Sequence, residues 1–286
     1  MVHTRPIKKV IEGKPVIEGA GVHLKRVFGF GETALFDPFL LLDDFRSDIP
    51  EHYLKGFPWH PHRGIETITY VLAGDVAHGD SLGNKGVIGP GDVQWMTAGS
   101  GIVHQEMPTG DSDGKMHGFQ LWANLPAHQK MMDPRYREVD EKDIPKVTPA
   151  EGVAIKVISG QVSGTRGPVR DVVIEPEYLD VSIAPHSTFT HSTQPGHTVM
   201  AYIIGGRGAF GGSEDRTFEN GTLLLFEDGE AFTAYSSAAA LRFLLISGKP
   251  IGEPVAWRGP IVMNTQEELR IAFEEYQQGT FIKYKG

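Results

Sequence analysis

From Val22 onward, short apolar runs alternate with turn-forming clusters at hairpin spacing, and helix signals are nearly missing until the C-terminal end. The first runs are His23–Phe30, Phe39–Phe45, Glu66–Val71, Val76–His78, Val93–Met96 and Gly118–Ala123. Turns such as Gly83-Asn84-Lys85-Gly86 and Gly89-Pro90-Gly91-Asp92 separate them. A second set covers Val153–Ile158, Val172–Ile174, Tyr178–Ile183, Thr198–Ile204, Thr222–Phe226 and Leu241–Ile246. Many short strands at this spacing predict an all-β sandwich or barrel. The polar, Pro-bearing stretch Asp133–Pro149 reads as the connection between two domains, 1–140 and 141–286. At the end, Thr265 and Glu268 form a capping box, and Leu269, Ala272, Phe273 and Tyr276 recur at helical spacing. One amphipathic C-terminal helix packing on a barrel face is expected there.

Composition narrows the function classes. With 35 Gly and 19 Pro, the 286-residue chain suits tight turns between strands. Its formal charge of −9, with no long basic run, argues against gripping nucleic acid directly, because phosphate binding needs clustered Lys and Arg. The absence of cysteine rules out thiolate chemistry, disulfides, and Cys-ligated zinc or iron–sulfur clusters. No apolar stretch is long enough to span a bilayer, and the basic residues of Met1–Gly13 precede no apolar leader core. A soluble cytoplasmic protein without membrane contact is expected.

The histidines are unevenly placed: nine of the 12 precede residue 130. His60-Pro61-His62 and His104-Gln105-Glu106 each put two metal-type donors two residues apart. On an extended strand such residues share a face, so two pairs on neighbouring strands converge. Burying three imidazoles and a carboxylate together is costly unless a cation compensates. His60, His62, His104 and Glu106 are therefore the candidate ligands of one mononuclear divalent metal. Glu66 shares the parity of His60 and His62 and stands as a fifth donor, or as a partner behind the ligands. An all-nitrogen-and-oxygen set with a carboxylate suits Fe(II), Mn(II), Ni(II) or Co(II). His78, His117 and His128 have no partner at ligand spacing and read as hydrogen-bonded residues. Arg63, by strand alternation, points away from the site. Gly205-Gly-Arg-Gly208 precedes no capped helix, so it does not read as a phosphate loop.

Phe57-Pro-Trp-His60-Pro-His62-Arg-Gly-Ile-Glu66-Thr, Gln94-Trp-Met-Thr-Ala-Gly99 and His104-Gln-Glu106-Met resemble the pirin family. So do Asp37-Pro-Phe-Leu-Leu-Leu-Asp43, Phe119-Gln-Leu-Trp-Ala-Asn-Leu-Pro126, Ser247-Gly-Lys-Pro250 and Gly259-Pro-Ile-Val-Met-Asn-Thr265. The resemblance implies two tandem cupin barrels (jelly-roll, double-stranded β-helix) with iron in the first, held by His60, His62, His104 and Glu106. It further implies quercetin 2,3-dioxygenase activity on a flavonol-like aromatic substrate and O2, with Glu106 or Glu66 taking the substrate's hydroxyl proton. The alternative it carries is a metal-dependent regulator that binds a transcription factor or metabolic enzyme without turnover. In the second half, His191 and His197 fall at the first His and Glu slots. Thr193 replaces the second His, and Ala234 and Ser236 fall where His104 and Glu106 stand, so that half is expected to be metal-free.

Overall fold

The computed structural model describes residues 3–284; residues 1, 2, 285 and 286, the outer ends of the two expected domains, lie outside the described residues. The twelve strands up to residue 139 are β1 (Ile7–Glu12), β2 (Lys14–Glu18), β3 (Val22–Phe28), β4 (Phe39–Ser47), β5 (Phe57–His62), β6 (Ile65–Ala73), β7 (Asp75–Asp80), β8 (Lys85–Ile88), β9 (Val93–Thr97), β10 (Ile102–Thr109), β11 (Met116–Asn124) and β12 (Arg135–Val139). The chain forms two compact units, and they are not consecutive halves. One comprises Lys14–Glu141 with Ile251–Gly286, the other Met1–Gly13 with Lys142–Pro250.

In the first unit a seven-stranded antiparallel sheet runs β12-β9-β6-β11-β4-β3-β2, and a four-stranded sheet runs β5-β10-β7-β8. Alternation sets the inward faces. On β3, Val22 and Leu24 are buried while His23 and Lys25 are exposed. On β10, Ile102, His104, Glu106 and Pro108 are buried and the residues between them are not. Polar His104 and Glu106 thus occupy positions that packing alone would give to aliphatic side chains. Tyr53, Val71, Val76, Ile88 and Met116 pack with Val22, Leu24 and Phe45 into an apolar core. The helix Gln266–Gln277 belongs to this unit and realises the expected capping box. The Thr265 hydroxyl accepts from Glu268 N at 3.2 Å, and Thr265 N donates to the Glu268 carboxylate at 2.8 Å. Its buried Leu269 and Ala272 pack with Ile261, Met263 and Phe281.

The second unit is a ten-stranded sheet into which β1 is paired along Thr222–Phe226. Its interior is filled by Phe189, Phe210, Phe226, Phe232 and Phe243 among aliphatic residues, and full burial of each ring contributes roughly 1.5–3 kcal/mol. The boundary expected at 140 thus misses two exchanges: β1 and residues 251–286 each belong to the opposite unit. Pairing of β1 with Thr222–Phe226 decides the first exchange and packing of Val262 against Leu40, Ile65 and Met96 the second, and neither leaves a local sequence signal. One further expectation changes: Val172–Ile174 forms a turn, with Glu175 N donating to Val172 O at 3.2 Å. Within Asp133–Pro149, the stretch read as the connection, a break between the units falls at Glu141/Lys142, with β12 before it and a strand, Lys146–Ala150, paired with Val153–Ser159, after it. Among the described residues, no helix is long and apolar enough to cross a membrane.

Candidate metal centre

Antiparallel pairing of β5 with β10 sets His60 directly opposite His104. His62 lies on the face of His60, because the two are separated by one residue of the strand. Ligand-type nitrogens of His60, His62 and His104 lie within 4.8 Å of one another. His62 and His104 are buried and His60 is half-buried. Burial holds all three imidazoles below their ordinary pKa, His62 and His104 well below, and each of those two is lowered further by its histidine neighbours. Neutral imidazoles are the form that binds metal.

The hydrogen bonds point the same way. His60 Nδ1 lies 2.8 Å from Pro58 O, and His62 Nδ1 lies 2.9 Å from Pro260 O. A carbonyl only accepts, so both Nδ1 atoms carry the proton and both Nε2 atoms of the neutral rings are bare lone pairs. Yet the two Nε2 atoms stand 3.0 Å apart. Two acceptors at that distance repel unless a cation lies against them. His104 Nε2 is also buried and has no hydrogen-bond partner. The donor set fits a metal ion, and its second-sphere contacts to backbone carbonyls are those that orient metal-bound histidines.

Glu106 is not part of this group of three. It lies two residues beyond His104 on the same face of β10, across a register irregularity that sets it opposite Phe57. The Thr69 hydroxyl stands 2.9 Å from its Oε1, and Gln120 Nε2 donates to Oε2 at 3.0 Å. Burial raises the Glu106 carboxyl to about 7, against the lowering effect of those two bonds. Glu106, His60 and His62 line one cavity of about 530 Å³. Trp122 and Trp257, with ring centroids 5.7 Å apart, wall it on the imidazole side, and Trp122 meets His62 edge-on.

Glu66 is placed elsewhere. Thr69 faces Glu106, and Glu66, three residues away on β6, faces the other side of the sheet, where Thr97 Oγ1 donates to it at 2.6 Å. The parity that joined Glu66 to His60 and His62 is broken at Gly64, which adopts φ +79° between β5 and β6. A Cβ there would lie 2.0 Å from Val262 O, so the close approach of residues 260–263 also requires glycine.

Two buried cations beside His62 gave no local signal. Arg63 does point away from the site, but into the protein: it donates to Ser100 O at 2.7 Å and Phe281 O at 2.8 Å, and pairs with Glu275 at 2.8 Å. Lys130 Nζ donates to Gly64 O at 2.8 Å, Asn124 Oδ1 at 2.6 Å and Val262 O at 3.1 Å. Together they fasten the C-terminal segment that supplies the Pro260 carbonyl and Trp257. Among the other histidines, His78 Nε2 meets Glu138 Oε2 at 3.1 Å and the Tyr136 hydroxyl.

In the other unit, Phe232, rather than Ala234, stands opposite His191, as His104 stands opposite His60. The intervening stretch is three residues shorter, so a constant offset between the halves fails. His191 is paired with Glu177 at 2.9 Å. Thr193 accepts at 2.7 Å from Nε of Arg5, whose buried guanidinium also donates to Gln194 O and Glu227 O.

Sequence-family comparison matches residues 21–123 to Pirin and 178–282 to the Pirin C-terminal cupin domain. The "Pirin-like protein" of Caulobacter vibrioides is 44% identical over 97% of this chain and 99% of its own. The chain belongs to the pirin family. It is accordingly a bicupin, mostly β, with a single C-terminal helix. A Pseudomonas aeruginosa pirin relative named "Putative quercetin 2,3-dioxygenase" is 40% identical over 98% of this chain and 99% of its own. Among solved structures, a quercetin 2,3-dioxygenase from Acinetobacter baumannii superposes with a TM-score of 0.88 at 30% identity, covering 97% of this chain and 98% of that one.

Proposed function

We propose that this pirin is a metal-dependent dioxygenase of the quercetin 2,3-dioxygenase type, opening the central ring of a flavonol with O2 and releasing carbon monoxide. The observation that carries the reading is the pair of bare imidazole nitrogens 3.0 Å apart at the base of an aromatic-walled cavity. His60, His62 and His104 would hold the ion, with Glu106 completing the set from the same face of β10. Iron(II) is the preferred occupant, and the same donors suit Mn(II), Ni(II) and Co(II). When bound, such an ion supplies Lewis acidity toward an acidic hydroxyl and electrons for dioxygen chemistry.

The protein supplies the rest. Trp122 and Trp257 offer an indole wall against which a flat ring stacks. Glu106, with one oxygen near the Thr69 hydroxyl and the other held by Gln120, is placed to accept the substrate's hydroxyl proton. Trp122, edge-on to His62, shields the reacting atoms from water on that side. The relatives named for this activity support the reading at about 40% identity. The test is anaerobic loading with Fe(II), followed by quercetin and O2, monitoring flavonol loss and carbon monoxide. Metal-dependent loss with one carbon monoxide per flavonol is expected. A fully loaded protein that turns over neither would overturn the reading and favour the regulatory alternative.

A further inference from the structure

A polar row crosses the inner face of the seven-stranded sheet. Arg26 stands opposite Asp43, Asp43 opposite Gln120, Gln120 opposite Thr69, Thr69 opposite Gln94, and Gln94 opposite Glu138. Directly opposed residues share a face, and neighbouring strands lie about 4.8 Å apart. The row therefore measures distance from the centre. Thr69 and Gln120 hold Glu106, Asp43 lies one strand further out, and Arg26 one strand beyond that. Exposure rises along the same path: the Asp43 side chain is 7% exposed, Arg26 29%, and its second partner Glu18 43%. Asp43, Arg26, Glu18 and Gln120 all line the cavity that holds the imidazoles.

The chemistry of this outer stretch is specific. Arg26 donates to Asp43 Oδ1 at 2.9 Å and Oδ2 at 2.8 Å, and to Glu18 Oε1 at 2.8 Å. A carboxylate oxygen accepts two bonds, so each Asp43 oxygen retains a lone pair in a group clamped against rotation. Beside the row the lining is aromatic: Trp122, two residues from Gln120 on the same face of β11, lies 5.7 Å from Trp257, and Trp257 lies 5.5 Å from Phe30. A flat ring system lying on that wall turns its edge to the row. A carboxylate or phosphate on that edge would meet two carboxylates for one guanidinium, whereas a hydroxyl would meet a fixed acceptor.

We propose that Asp43, clamped by Arg26, is a specificity-determining residue that accepts a hydrogen bond from a phenolic hydroxyl on the part of the substrate farthest from the imidazoles. This deepens the dioxygenase reading and rests on it for the orientation of the substrate. The test compares quercetin, whose pendant ring carries two hydroxyls, with galangin, whose pendant ring carries none. Dissociation constants are measured calorimetrically under argon, with and without Fe(II), and turnover is then measured in O2. Wild type is expected to favour quercetin roughly tenfold. In Asp43→Asn that ratio should fall toward one. In Arg26→Gln, which leaves the carboxylate in place but unclamped, it should fall in part, and this variant decides the matter if Asp43→Asn does not fold. Equal wild-type affinities, failure of quercetin to bind, or a ratio kept in Asp43→Asn would overturn the assignment. An Asp43-dependent ratio without O2-dependent consumption would support the assignment while overturning the dioxygenase reading.

Discussion

Replacing Lys130 with Met should change the pH dependence of stability in a direction fixed by the burial of its amine. Lys130 is 1% exposed, and burial lowers its pKa from 10.5 to about 7, opposed by Glu253 and Glu268. The folded-state pKa thus lies below the unfolded one. Below pH 7 both states carry the proton, and the folded state bears the full cost of the buried charge. Between 7 and 10.5 the unfolded state binds more protons, so stability rises with pH. Raising pH from 6 to 9 covers about two units above the folded pKa, which corresponds to roughly 2–3 kcal/mol. Lys130→Met keeps the volume and removes the titration, so the wild type should gain that amount relative to the variant over this interval. Urea unfolding at pH 6, 7, 8 and 9 measures the difference directly. A difference that stays constant across the series would refute the reasoning. It would show that the three acceptors Gly64 O, Asn124 Oδ1 and Val262 O keep the ammonium charged.

Three other outcomes are expected. Arg5→Leu should destabilise the protein by about 3 kcal/mol in urea unfolding, because it leaves Thr193 and three backbone carbonyls, those of Gln194, His197 and Glu227, without their donor. Trp257→Ala should weaken calorimetric binding of flat aromatic ligands about tenfold by removing an indole from the cavity wall. Glu66→Gln should leave metal content unchanged by elemental analysis, since its carboxylate hydrogen-bonds Thr97 on the face opposite Thr69.

Much of the fold was legible because its signals are local. Alternation gave the strands, turn residues gave the hairpins, and Thr265 with Glu268 gave the last helix. The three histidines were legible for the same reason: a period of two on β5 and β10 places them on inward faces. What escaped depends on partners distant in sequence. The pairing of β1 with Thr222–Phe226, the Pro260 carbonyl behind His62, and the burial of Arg63 and Lys130 all bring together residues with no common local pattern. Glu66 shows the limit of counting parity, since one glycine at φ +79° resets it. Phe232 shows the limit of aligning two halves by a fixed offset when the loops between them differ in length.

Metal content tests most directly whether His60, His62 and His104 hold an ion. Protein loaded anaerobically with Fe(II), dialysed, and assayed by elemental analysis should hold one metal ion per chain. His62→Ala and His104→Ala should each lose it, because each removes one of three converging nitrogens. Full occupancy in both variants would contradict the site.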